Sequence, residues 1–133
     1  VKHINTLYIV WNDGNTLGIP IIDEQHRGII STINSLYYSI QTGHGHEVTG
    51  PTIAMLEQYI NVHFKTEEAL LLEAGYPAVE EHIALHKKLV DKTTELSIIA
   101  GDDTGPEMLL KFLRGWWLSH INKEDRKYAP FLK

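Results

Sequence analysis

The sequence predicts an all-α fold, an antiparallel up-down-up-down four-helix bundle preceded by an extended N-terminal arm. Three observations carry this. Apolar residues recur at helical spacing in four stretches of similar length, proline and glycine punctuate the chain so that only short connectors remain between them, and histidine and acidic residues sit at four-residue steps.

Residues 1–22 are broken by Asn12-Asp13-Gly14-Asn15, Gly18 and Pro20 and read as an arm lying on the body, with Trp11 as its large anchor. Asp23 is a good N-cap for a first helix to about Thr42, and Ile29, Ile30, Ile33, Leu36, Tyr37 and Ile40 form its apolar stripe. Gly43-His44-Gly45-His46 stops that helix, and Pro51 opens a second one that ends near Ala74, with Gly75 as the C-terminal stop. Pro77 opens a third helix to about Ala100. The fourth starts at Pro106, carries Met108, Leu109, Phe112, Leu113, Trp116 and Trp117 on its inner side, and reaches His120 or slightly beyond, leaving a C-terminal tail. The 133 residues are expected to form a single domain, the bundle and tail occupying 23–133.

Composition narrows the function classes. Twelve basic against seventeen acidic side chains give a net charge of −5 with no basic stripe, which argues against nucleic acid as a partner. The absence of cysteine removes disulfides, thiolate zinc sites and iron–sulfur clusters together. No apolar run approaches the ~18 residues a membrane helix needs, and the first residues show no leader pattern. The expectation is a cytoplasmic protein with no membrane partner.

Against that background seven residues stand out: His26, His63 with Glu67, His82 with His86, and His120 with Asp125. On an α-helix positions i and i+4 lie only about 40° apart, so His63/Glu67 and His82/His86 each aim two ligand-type side chains at one point. The bundle topology brings all these positions to one level: the start of the first helix, the latter half of the second, the first half of the third and the end of the fourth. A tetrahedral zinc takes four groups, whereas five imidazoles and two carboxylates suit a pair of metals. His120 and Asp125 are five apart and would diverge by about 140° on a regular helix, so the helix must loosen or end there, by a wide turn or a bulge. His3, His44 and His46 read as solvated loop residues and Glu68 as a surface charge. Tyr59 and Tyr128 read as packing.

The ordered pattern Asp23-x-x-His26, His63-x-x-x-Glu67, His82-x-x-x-His86 and His120-x-x-x-x-Asp125 resembles the hemerythrins, and specifically the bacteriohemerythrins and related bacterial domains. Trp11, Phe64 and Tyr128 extend the resemblance over nearly the whole chain. It implies two iron ions in a non-haem diiron centre with an oxo or hydroxo bridge. His82, His86 and His120 would be terminal on one iron, His26 and His63 would hold the other, and Glu67 and Asp125 would bridge them. The second iron would keep an open position for dioxygen. Reversible oxygen binding for storage, transport or delivery follows, without catalysis. The alternatives are an oxygen- or redox-sensing module with a signalling partner and, against the small number of carboxylates, a diiron peroxidase or oxidase.

Ile22, Ile29, Ile30, Phe64, Leu89, Trp116, Trp117 and Ile121 lie beside the ligands or one turn away and are expected to make a dry pocket, with Ile30, Phe64, Trp116, Trp117 and Ile121 as its oxygen-facing part. Trp117, three residues before His120, departs from the family, which commonly has a smaller aliphatic residue there. Its indole is expected to narrow the route to the open iron.

Overall fold

A computed structural model describes residues 7–42, 45–99 and 105–133. The described chain runs through a short 3-10 turn at Asp13–Asn15, α1 (Pro20–Gln41), α2 (Gly45–Ala74), α3 (Val79–Ile99), α4 (Gly105–Trp116), a π-helical segment (Trp117–Glu124) and α5 (Asp125–Leu132). Each long helix packs on its sequence neighbour and α4 returns to α1, which closes the up-down-up-down bundle. No helix among the described residues is long and apolar enough to cross a membrane.

Several boundaries differ from the sequence expectation. Helix α1 begins at Pro20, with Ile19 as N-cap, because proline's fixed φ suits the first turn. Asp23 therefore lies inside the helix, and its carboxylate accepts the backbone N–H groups of Leu17 and Gly18 at 2.8 and 3.1 Å, pinning the arm rather than capping. Helix α2 begins at Gly45, so Pro51 sits within it instead of starting it. His46 falls in that helix rather than in a loop, while His3 and His44 lie outside the described residues. Gly75, at φ +68, ends α2 as expected of a left-handed C-terminal residue. The residues read as a tail continue as α5, where Tyr128 and Ala129 are buried. On α4, Met108 is 49 % exposed and Leu110 takes the inner place instead.

The arm is fastened along α1. Asn34 accepts the N–H groups of Tyr8 and Ile9, both at 2.9 Å, and its amide donates to the Ile9 carbonyl at 2.8 Å. Tyr8 stacks on Tyr37, and the Arg27 guanidinium lies 4.8 Å over the Trp11 ring, a cation–π contact. Farther on, the Asn15 amide donates to Asn122 Oδ1 in the π segment at 2.8 Å.

Apolar side chains gather in two clusters. The larger holds Ile29, Ile30, Ile33 and Leu36 of α1 with Leu56, Ile60 and Phe64 of α2, Leu96 of α3, and Leu109, Leu113, Trp116, Trp117 and Ile121. The smaller joins Leu17 and Ile19 of the arm to Ile22, Leu71, Tyr76, Tyr128 and Ala129. The seven residues singled out in the sequence occupy the layer between them.

Helices α1 and α2 approach closely at Gly28, where an added Cβ would stand 2.0 Å from the Tyr59 hydroxyl oxygen and 2.4 Å from the ring carbon bearing it. Alanine would gain about 1 kcal/mol of helix propensity, but overpacking of this kind costs about 1–3 kcal/mol. Gly28→Ala is expected to lower the melting temperature, and Tyr59→Leu in the same chain to recover part of the loss. Additive effects in thermal unfolding would show that the two side chains do not meet.

Candidate metal centre

Five imidazoles and two carboxylates meet inside the bundle. His26, His63, Glu67 and Asp125 are fully buried, and His82, His86 and His120 are no more than 5 % exposed. The regular pairs arrive by helical repeat, His63 and Glu67 from α2 and His82 and His86 from α3. The irregular pair arrives by the π segment. Its i→i+5 bonding, seen in the Asp125 N–H donating to the His120 carbonyl, places residues five apart about one turn above each other, so His120 and Asp125 face the same way. The bulge expected from the five-residue spacing is thus a run of π-helix.

Every imidazole presents Nε2 to a carboxylate oxygen, and each carboxylate divides its two oxygens between two groups. Glu67 Oε1 lies 2.5 Å from His82 and 3.0 Å from His86, while its Oε2 lies 3.1 Å from His63. Asp125 Oδ1 lies 3.3 Å from His82 and 3.1 Å from His120, while its Oδ2 lies 3.1 Å from His26. Two overlapping ligand sets result: Glu67, His82, His86, His120 and Asp125, and His26, His63, Glu67 and Asp125, the donor atoms within each lying within 4.8 Å of one another. Both carboxylates belong to both sets. One set has three imidazoles and the other two.

Most of these approaches are not hydrogen bonds. His26 Nδ1 and Nε2, His63 Nε2, His86 Nε2, His120 Nδ1 and Nε2, and both Asp125 oxygens are buried without a hydrogen-bond partner among the described residues. A buried polar group left unsatisfied costs about 1–3 kcal/mol, so eight of them would cost on the order of the ~5–15 kcal/mol by which a whole domain is stable. A cation shared by the converging Nε2 and Asp125 lone pairs would satisfy six of the eight, the Nδ1 atoms of His26 and His120 being left out because those rings turn Nε2 inward. The donor set fits metal ions that accept nitrogen and oxygen together.

Outer contacts set the tautomers. His63 Nδ1–H donates to Gln25 Oε1 at 2.9 Å, and the Gln25 amide donates in turn to Thr66 Oγ1 at 3.2 Å. His86 Nδ1–H donates to Glu68 Oε2 at 2.8 Å. In both rings the proton is held outside and the Nε2 lone pair points inward. The Tyr128 hydroxyl donates to Glu67 Oε2 at 3.0 Å, so this residue does more than pack. Burial, together with the Asp125 and Glu67 carboxylates, pushes its phenol far above the usual range and keeps it a donor.

Sequence reasoning missed Glu68 and Gln25. By helix geometry alone Glu68 reads as a surface charge, since it diverges from Glu67 by about 100° on α2, but that direction faces His86 on α3. Gln25 carried no signal until α1 and α2 were docked.

The residues expected to line a pocket are buried or partly buried in the two apolar clusters. Ile30, Phe64, Trp116, Trp117 and Ile121 are all buried in the larger apolar cluster, whereas Leu89 is only partly buried beside it and Ile22 seals the opposite end. Phe64 stacks on His86 at 3.8 Å and 6°, Trp116 lies over His120, and Trp117 meets His26 edge-on at 5.8 Å.

The chain is similar to known proteins in sequence and in fold. Residues 17–132 match the hemerythrin HHE cation binding domain family. The chain is 36% identical over 127 residues to a bacteriohemerythrin of Stenotrophomonas maltophilia, covering 94% of this chain and 82% of that one. It is 34% identical over 116 residues to a bacteriohemerythrin of Methylococcus capsulatus, covering 86% and 88%. A crystal structure of wild-type hemerythrin superposes with a TM-score of 0.82 at 30% identity, covering 94% of this chain and 98% of that one.

The cluster makes the metal-free and metal-loaded chains respond oppositely to pH. Burial opposes charge on His82, but Asp125 and Glu67 outweigh it and raise the ring from 6.5 to about 9. That contribution to the metal-free fold is complete below pH 6.5 and is lost as pH rises towards about 9. Burial also opposes charge on Glu67 and Asp125, yet the facing histidines hold both below their usual values of 4.5 and 3.8, so their contribution is lost as pH falls through and below that range. Metal binding instead needs neutral imidazoles. The metal-free melting temperature is expected to peak in mild acid and fall towards pH 9, while the metal-loaded chain releases metal in mild acid. Thermal scans and metal analysis across pH check both, and full metal retention down to about pH 4 would contradict ligation by histidines whose free pKa is ~6.5.

Proposed function

From the premise that this chain belongs to the hemerythrin family, whose members hold a diiron centre and bind oxygen, we propose that its buried cluster binds two iron ions and takes up dioxygen reversibly for storage, transport or delivery. A non-haem diiron oxygen-binding protein is the function that fold, family and cluster jointly support. In this reading His82, His86 and His120 would hold one iron and His26 and His63 the other, with Glu67 and Asp125 shared by both. The observation that carries the reading is the inequality of the two ligand sets: both share the carboxylates, but one is a histidine short. The shorter set leaves room for an exogenous ligand.

When bound, a ferrous pair supplies the electrons that oxygen uptake draws on. The chain's own residues arrange the rest. Gln25 and Glu68 fix two imidazoles in the ligating tautomer, and Tyr128 steadies Glu67. Ile30, Phe64, Trp116, Trp117 and Ile121 keep water away, which hinders proton delivery and loss of reduced oxygen. Five imidazoles and only two carboxylates also favour binding over oxygen activation, so the reading is of a protein that is not an enzyme. It is a cytoplasmic one, with dioxygen as the ligand.

Anaerobic reduction followed by cycles of oxygen addition and removal, with iron measured on the same sample, tests the function. Two irons per chain and a charge-transfer band that returns with each cycle are expected, whereas irreversible oxidation in the first cycle would rule out carriage. The edge-on contact of Trp117 with His26 and its 2 % exposure support a role for its indole in narrowing the way in. Trp117→Leu is expected to raise both the association and dissociation rates for oxygen in stopped-flow measurements, and unchanged rates would remove Trp117 as a gate.

A further inference from the structure

The outer partners of the two ligand sets differ in charge. On the two-histidine side His63 is held by Gln25, a neutral amide already engaged with Thr66. On the three-histidine side His86 is held by the Glu68 carboxylate at 2.8 Å. His26 Nδ1 and His120 Nδ1 have no hydrogen-bond partner among the described residues, so neither offsets this difference. Phe64, stacked flat on His86, fixes the ring plane so that Nδ1 stays aimed at Glu68.

We propose that Glu68 is a positioning residue that makes the two metal positions electronically unequal, enriching the one held by His82, His86 and His120 and lowering the reduction potential of the pair. The inference rests on the diiron reading above. A carboxylate accepting from Nδ1–H draws the proton outward and leaves Nε2 a stronger donor, an effect an amide produces more weakly. The richer donor stabilises the higher oxidation state of its metal. Glu68 is 20 % exposed in its side chain, so solvent screens part of its charge and the effect is moderate.

The test is anaerobic potentiometry of the iron-loaded chain, with iron content measured in parallel. Glu68→Gln keeps an acceptor in place and removes only the charge. Its midpoint is expected to rise by about tenfold in the redox equilibrium, ~59 mV for one electron. Gln25→Glu places a charge on the other side and is expected to lower the midpoint by a comparable amount. An unchanged midpoint in Glu68→Gln with two irons bound would overturn the proposal, because a merely structural acceptor is preserved there. If Glu68→Gln loses iron, Gln25→Glu decides, and no shift in it would overturn the proposal. A wild-type chain that takes up no iron would sink the proposed function instead. Zinc competition on the same variants then reads donor strength without redox chemistry: a loss of about tenfold or more in Glu68→Gln sustains the role of Glu68, and equal affinity ends it.

Discussion

Two carboxylates buried to zero exposure at the centre of the bundle are the constraint from which the rest follows. Moving a carboxylate from water into a protein interior costs several kcal/mol even after relaxation, and Glu67 and Asp125 lie in the same layer, where their charges repel. The fold answers with five imidazoles facing the four oxygens. His82 meets both carboxylates, and the remaining rings divide between them. This arrangement holds both acids ionised but leaves ring nitrogens and Asp125 oxygens without hydrogen bonds. A core kept only for stability would have been filled with apolar side chains, as the layers on either side are.

The same constraint explains the irregular fourth helix. Asp125 can complete the layer only if the backbone turns more slowly between it and His120 than an α-helix does, and the π segment provides that slower turn. The arm takes part, since Asn15 donates to Asn122 within the segment and Trp11 packs at 5.9 Å from Trp117 at its start. Beyond the segment α5 resumes regular geometry and delivers Tyr128 to Glu67. One local departure from the α-helical repeat thus positions one of the two buried carboxylates and the hydroxyl that steadies the other.

What was legible in the sequence depended on whether a relation lay within one helix or between two. His63/Glu67 and His82/His86 could be read because an i,i+4 spacing fixes direction without knowledge of neighbours. The bulge at His120 to Asp125 could be read because regular geometry failed there. Glu68 was misread because its role depends on α3, and Gln25 went unnoticed because its role joins α1 to α2. Met108 and Leu110 exchanged places because a stripe of apolar residues on α4 does not say which edge the bundle covers. Asp23 looked like a cap because the residue type suits one, but Pro20 supplied the stronger start, and the carboxylate turned to the arm. The close approach at Gly28 left no signal in the sequence, since a glycine inside a helix shows its reason only when Tyr59 arrives from the neighbouring helix.

The packing that keeps the cluster dry also closes the way in. Phe64, Trp116 and Trp117 press on the imidazoles from the larger apolar cluster, and Tyr76 and Tyr128 flank His82 from the smaller one. For the dioxygen binding proposed above, passage through such a wall would require side chains to leave their packed rotamers briefly. An indole held between His26 on one side and Trp11 on the other has little freedom to move. Trp11 is itself covered by Arg27, and the segment that carries it is tied to α1 through Asn34. The arm therefore braces the wall of the site through Trp11, which packs on Trp117, and its hydrogen bonds to Asn34 of α1 hold it there.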